Sequence, residues 1–282
     1  NAWGHRGATV SASAAALGLP VPAGLIVSDA TDPAAAAALL LSAGRGQDIA
    51  WVDVNAGRPN DVLDLDSTMA LRRAVEAAAS STGRSWGALG DGIDAVTFCR
   101  GAAARVMTRL PIAGPGKSGD EVALTDVIGR LDDGSRWAFT GWIFGSAERA
   151  AYMANCSLFL PRLDAWLCDT YPNSQPWARW GLQSAAEVLE SAGWNVDLRT
   201  DETLTSLRGA TMSGLRSDLV LFNSKGNADF FRMSGDVDAD PGDVPILDLP
   251  AVVSMIHSWS LRSPDDVNSV GGRWLEHGAY AV

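Results

Sequence analysis

Two short polar sequences each follow an apolar run in this chain. Leu219-Val220-Leu221-Phe222 leads into Asn223-Ser224-Lys225-Gly226-Asn227. Val252-Val253-Ser254-Met255-Ile256 leads into His257-Ser258-Trp259-Ser260. Binding and catalytic groups in open parallel sheets collect at the C-terminal ends of strands. If these strands are neighbours, Ser224, Lys225, His257 and Ser258 converge. An imidazole beside a hydroxyl is the minimum for acyl transfer: His257 as general base, Ser224 or Ser258 as nucleophile. Ser260, Asp265 and Asp266 are the other local members of a Ser-His-Asp set. No G-x-S-x-G elbow accompanies them, and a lone strand-end histidine is more often structural than catalytic.

A second pattern is Asp236, Asp238 and Asp240, followed by Gly242 and Asp248. Alternating carboxylates can wrap calcium through hard oxygen ligands. The EF-hand loop requires glycine at position six and glutamate at twelve. Here Pro241 stands at six and Asp248 at thirteen, so an acidic solvated loop is the favoured reading and calcium the alternative. The loop Gly114-Pro115-Gly116-Lys117-Ser118-Gly119 lacks the spacing of a phosphate loop and reads as a turn. Cys99, Cys156 and Cys168 form no CxxC pair and read as buried free thiols. Trp166, Trp177, Trp180, Trp259 and Trp274, from eleven tryptophans, can line a sugar or peptide groove or fill the core.

The chain has 282 residues, 47% hydrophobic and 20% charged, with a net charge of -11. That composition supports a large core and excludes disorder. The acidity, with Lys117 and Lys225 as the only lysines, disfavours a nucleic-acid partner. No stretch approaches the ~20 apolar residues of a membrane span. Asn1 at the start and the apolar run at Val282 suggest a piece of a longer protein.

Apolar runs alternate with helical patterns throughout. Strands are expected at residues 25–27, 49–54, 95–99, 105–112, 137–143, 194–198, 218–222, 252–256 and from Ala279. Helices are expected after Asp32-Pro33, from Ser67 as its cap to Ala79, and over residues 121–131, 179–192, 202–208 and 267–277. A further helix should run from Ser146 to Leu160, kink at Pro161 and resume to Cys168. It would hold Cys156 and Cys168 about 18 Å apart. Alternation of this kind predicts an α/β fold: a mostly parallel sheet flanked by helices, arranged as two α/β lobes. The lobe boundary is expected near residues 134–146, giving lobes 1–140 and 141–282.

The last third resembles the caspase clan, most closely gingipain-like cysteine peptidases. Leu249-Pro250 before the strand to Ile256, the helical stretch Val270 to Leu275, and Gly278-Ala279-Tyr280-Ala281-Val282 follow that family's order of elements. Met107-Thr108-Arg109-Leu110-Pro111 is similar to its "GR-hydrophobic-P" segment. The resemblance covers residues 94–282 and implies a caspase-like fold and an extracytoplasmic setting. It also implies where the site departs. Lys225 stands where the family has its histidine, His257 stands where it has its cysteine, and no cysteine follows Cys168. The resemblance therefore implies a degenerate, non-catalytic homologue acting as a binding or assembly module with a protein or peptide partner. The alternatives are an atypical hydrolase using His257 with Ser224 or Ser258, and a carbohydrate- or peptide-binding domain.

Overall fold

The computed structural model describes residues 24–83, 95–107, 121–131, 133–159, 163–171, 180–256 and 260–282. The chain divides into two compact units, Asn1–Leu160 and Pro161–Val282. The boundary thus falls later than the expected 140/141. The reason is that the segment just after residue 138 supplies the last strand of the first sheet, and the next helix packs inside the first unit.

That first sheet joins β1 (Gly24–Ser28), β2 (Asp48–Trp51), β4 (Ala95–Cys99) and β7 (Phe139–Ile143), in the order β2-β1-β4-β7. Every pairing is parallel. Helix α1 (Ala35–Arg45) follows the expected Asp-Pro start: the Asp32 carboxylate accepts the Ala34 amide at 2.9 Å. It stops at Gly46, left-handed at φ 65°, a conformation glycine adopts without cost. Helix α2 (Leu65–Ser81) is capped by Asp64 rather than by Ser67. The Asp64 carboxylate accepts the Ser67 amide at 2.8 Å. An aspartate in extended backbone three residues ahead of Ser67 is the better-placed acceptor for that orphan N–H.

A small sheet, β3 (Val62–Leu63), β5 (Arg105–Met107) and β6 (Glu121–Ala123), stands beside the main one. Only the middle of the helix expected over 121–131 is helical, as α3 (Leu124–Ile128). Helix α4 (Ala147–Phe159) packs on α1. Arg100, just past β4, is buried and donates to the carbonyls of Val52 and Val54 while lying 3.6 Å from Asp29. Its guanidinium fills the space at these strand ends, where a parallel sheet would otherwise offer a crevice.

The second unit's sheet is also parallel throughout, in the order β15-β14-β10-β8-β9. Its strands are β8 (Asp164–Asp169), β9 (Asn195–Thr200), β10 (Leu219–Asn223), β14 (Ala251–Ile256) and β15 (Ala279–Ala281). The segment expected as resumed helix to Cys168 is β8, a strand with neighbours on both sides. Its run Ala165-Trp166-Leu167-Cys168 is buried on both faces, as a central parallel strand requires. Cys156 and Cys168 therefore belong to different elements of different units, and the single-helix spacing does not apply. All three cysteines are free and buried.

Helix α5 (Gln183–Ser191) covers one face through Leu182, Ala186 and Leu189. The other face carries α6 (Leu204–Thr211) and α7 (Val270–Glu276) through Leu207, Val270 and Trp274. In α7 a Cβ on Gly272 would overlap the carbonyl oxygen of Asp266, and one on Gly271 that of Ser260. The paired glycines let the 260–266 loop lie directly on the helix. Between β10 and β14 lies an antiparallel meander that the alternation of apolar runs did not anticipate. It comprises β11 (Gly226–Asn227), β12 (Phe230–Met233) and β13 (Val237–Ala239), and it adds Phe231, Met233 and Ala239 to the core.

Candidate functional site

β8, β10 and β14 lie side by side and point the same way. In register, Asn223 is opposite Asp169 on one neighbour and Ile256 on the other. The chain past β10 (Ser224, Lys225) and the chain past β14 (His257, Ser258) thus leave adjacent strand ends. His257 and Ser258 themselves lie outside the described residues, as do Trp177, Trp259 and the loop around Lys117.

What the structure places at these ends is a buried polar network. Asp169 accepts three hydrogen bonds: from Asn223 Nδ2 at 3.0 Å, from the Leu182 amide at 3.0 Å and from the Tyr171 amide at 3.1 Å. Asn223 Nδ2 also donates to the Trp180 carbonyl at 3.0 Å. Those two bonds fix the amide's orientation and leave Asn223 Oδ1 buried with no partner among the described residues. Glu202 Oε1 and the Tyr171 hydroxyl, beyond the ends of β9 and β8, are also buried without a partner among the described residues. Burial, chiefly, pushes the Tyr171 hydroxyl up to about 12, so it remains a donor at neutral pH. Buried polar atoms without partners are uncommon in folded proteins, and three of them cluster near these strand ends.

Ser224 is buried and committed. Its hydroxyl donates to the Arg232 carbonyl at 2.8 Å and accepts the Arg232 amide at 3.0 Å. Thr170 and Ser234 complete the stitching of the meander onto the strand ends: the Thr170 hydroxyl lies 3.0 Å from the Asn223 carbonyl, and that of Ser234 donates to Thr170. A hydroxyl held between two backbone groups is poorly placed for attack, so Ser224 anchors the meander. Lys225, the next residue, is exposed.

The three aspartates do not gather around a vacant centre. Asp238 is the cross-strand partner of Arg232, whose Nε lies 2.7 Å from it. Asp236 lies 3.6 Å from the same guanidinium, and Asp240 caps the short 3-10 turn Pro241–Asp243. The Arg232 guanidinium already pairs with the Asp238 carboxylate, and Asp236 reaches the same cation only at longer range. Among the described residues, no group of three or more His, Cys, Asp or Glu side chains could hold a metal ion.

The groove of tryptophans divides similarly. Trp166 and Trp274 are core residues, whereas Trp180 is 43% exposed beside the strand ends. A cavity of about 400 Å³ lies over the β8–β9 face, lined in part by Asp164, Asp197, Arg199 and Arg216. Asp169, Asn223 and Ser224 are not among its walls.

Sulfur offers no nucleophile here. Burial, then the charges of Glu202 and Asp169, hold the Cys168 thiol well above its ordinary range, and burial raises Cys99 to about 12. The thiolate is the reactive form. Native protein treated with iodoacetamide near pH 8 is therefore expected to stay unmodified at Cys99 and Cys168 by intact-mass analysis, and to react in urea. Rapid native labelling of Cys168 would contradict its placement in β8.

Sequence reasoning placed Ser224 and Lys225 just past a strand, and they do follow the end of β10. It missed Asp169 and Glu202, and it quoted Asn223 without giving it a role. The available signal was an aspartate and an asparagine each closing a run of apolar residues.

No protein-family model matches the chain, and no curated protein matches it. Among solved structures, one described as "Structure of Protease" is similar in fold. Its TM-score is 0.56 at 12% identity, and the match covers 92% of this chain and 58% of that one. The likeness is one of backbone architecture: the α/β arrangement of parallel sheets with flanking helices is shared with a protease.

Proposed function

We propose that the protein is a degenerate member of the caspase- and gingipain-like group that binds an extended peptide at the ends of β8, β10 and β14 without cleaving it. One observation carries this reading. Adjacent parallel strands end where such a peptidase would hold its catalytic pair, yet β10 is followed by a committed Ser224 and an exposed Lys225, and no cysteine occurs after Cys168. Covalent attack on a peptide bond at a peptidase site of this kind needs an activated sulfur or hydroxyl, and Ser224 supplies neither. What stays accessible beside these ends is the exposed ring of Trp180 and the side chain of Lys225, an apolar face and a polar group that an extended peptide can meet.

The test uses the whole chain with a library of extended peptides. Binding is expected to change tryptophan fluorescence, and Trp180→Phe should remove most of that change. No peptide should be hydrolysed, and a fluorophosphonate should label no serine. Stoichiometric labelling that disappears in His257→Ala would replace this reading with an atypical hydrolase using His257 and Ser258. Binding unaffected by both Lys225→Ala and Trp180→Phe would remove the peptide from these strand ends.

A further inference from the structure

We propose that the second unit pairs with a second copy of itself through β9, the open edge of its sheet, in an antiparallel two-fold contact. The inference is independent of the peptidase-like reading, because β9 contributes nothing to the β10–β14 strand ends. Among the described residues β9 has β8 on one side and no strand on the other. The Asn195 amide donates to the Leu163 carbonyl at 2.8 Å, so Asn195 points its backbone toward β8. Along a parallel strand the two sides alternate residue by residue. Asn195, Asp197 and Arg199 therefore serve β8, while Val196, Leu198 and Thr200 direct their N–H and C=O groups outward.

Unpaired edges of this kind recruit another strand unless something blunts them. The side chains of β9 select which strand fits. Centring an antiparallel two-fold on Leu198 sets Leu198 opposite its own copy and Val196 opposite Thr200. All of these residues face outward, so each opposed pair exchanges both backbone bonds. The same register sets Asp197 opposite the copy's Arg199, and Arg199 opposite the copy's Asp197.

Within one chain these two residues already form a forked pair, with N–O distances of 2.8 and 2.9 Å. Their side chains are 51% and 41% exposed, so both can re-pair across the two-fold without burying a charge. Neighbouring registers fail. Centring on Val196 sets Asp197 against Asn195 and leaves Arg199 unmatched. Centring on Thr200 requires Asp201, whose φ of 52° ends the strand. On the opposite face Val196 and Leu198 are half-buried beneath α5, and that helix leaves Val188 exposed. A self-complementary patch of this kind is what an isologous dimer uses.

Sedimentation equilibrium on the full chain over about 1–100 μM tests the pairing. The mass should rise from the 29.6 kDa of one chain toward twice that value. Asp197→Arg places like charges opposite each other at both symmetric positions and should weaken association about tenfold or more. The exchange Asp197→Arg with Arg199→Asp restores opposite charges in the same register and should recover affinity to within about threefold. Thr200→Pro removes an outward N–H that no described residue of the monomer accepts, and should also weaken association. Each variant should keep the parent's circular dichroism, which separates lost pairing from lost fold. A monomer at every concentration overturns the proposal. So does a dimer indifferent to both Asp197→Arg and Thr200→Pro, or a charge exchange that recovers nothing.

Discussion

Asp169→Ala is expected to cost the second unit about 3–6 kcal/mol. The carboxylate accepts from the amides of Leu182 and Tyr171 and from Asn223 Nδ2, and Asp169, Asn223 and Leu182 are all buried. Alanine leaves those donors facing a methyl group. A buried donor stripped of its acceptor costs about 1–3 kcal/mol, more where the acceptor carried charge. Asp169→Asn keeps the shape and one acceptor oxygen, and should lose about half as much. Cys168 is the only cysteine of residues 161–282, so its alkylation rate in graded urea reports opening of this unit alone. An Asp169→Ala protein whose Cys168 reacts no faster than the parent's would mean that the network does not hold the strand ends together.

Trp274→Ala should be of similar size, about 3–5 kcal/mol. Trp274 is 1% exposed and sits among Phe222, Phe231, Met233 and Val270. Its indole Nε1 lies 3.1 Å from Met255 Sδ on β14. Removing the ring opens a cavity that the neighbours can fill only in part. Gly271 and Gly272 hold α7 against the 260–266 loop, which limits how far the helix can move inward. Trp274→Phe retains most of the apolar volume and should lose less than half as much. The same urea-dependent labelling of Cys168 measures both. Equal effects from the two substitutions would show that the indole's bond to Met255, rather than its bulk, carries the stabilisation.

The strand-end arrangement was legible because β10 and β14 are continuous apolar runs closed by polar residues, which only a buried parallel strand needs. β8 was not. Ala165, Trp166, Leu167 and Cys168 contain no β-branched residue, and the preceding stretch is helical, so periodicity alone extends that helix through Pro161. The decisive signs were length and boundaries: a short apolar run between Asp164 and Asp169, too brief for a helix of its own. Misreading β8 concealed Asp169, and with it the partner that explains Asn223. The meander was hidden differently. Asp236, Asp238 and Asp240 read as an acidic solvated loop, with calcium as the alternative, whereas Phe231, Met233 and Ala239 on the same ribbon show the alternation of a half-buried hairpin. The Arg232–Asp238 pair depends on strand register, which no local pattern discloses.

Each main sheet draws all its strands from its own unit of the chain, and this bears on how the protein is made. The first sheet is complete once β7 has left the ribosome, and its cover is complete once α4 follows at residue 159. The second unit begins only then. At bacterial or eukaryotic synthesis rates of about 5–20 residues per second, its 161–282 stretch takes roughly 6–24 s to appear. During that interval the first unit can close without competition from strands of the second, although both consist of parallel strands of similar composition. The second unit has no such freedom. Its interior strand β8 emerges first, but β10 and β14 must arrive across long crossovers before Asp169 and Trp274 find their partners. Slow folding and exposure to misassembly should therefore concentrate in residues 161–282.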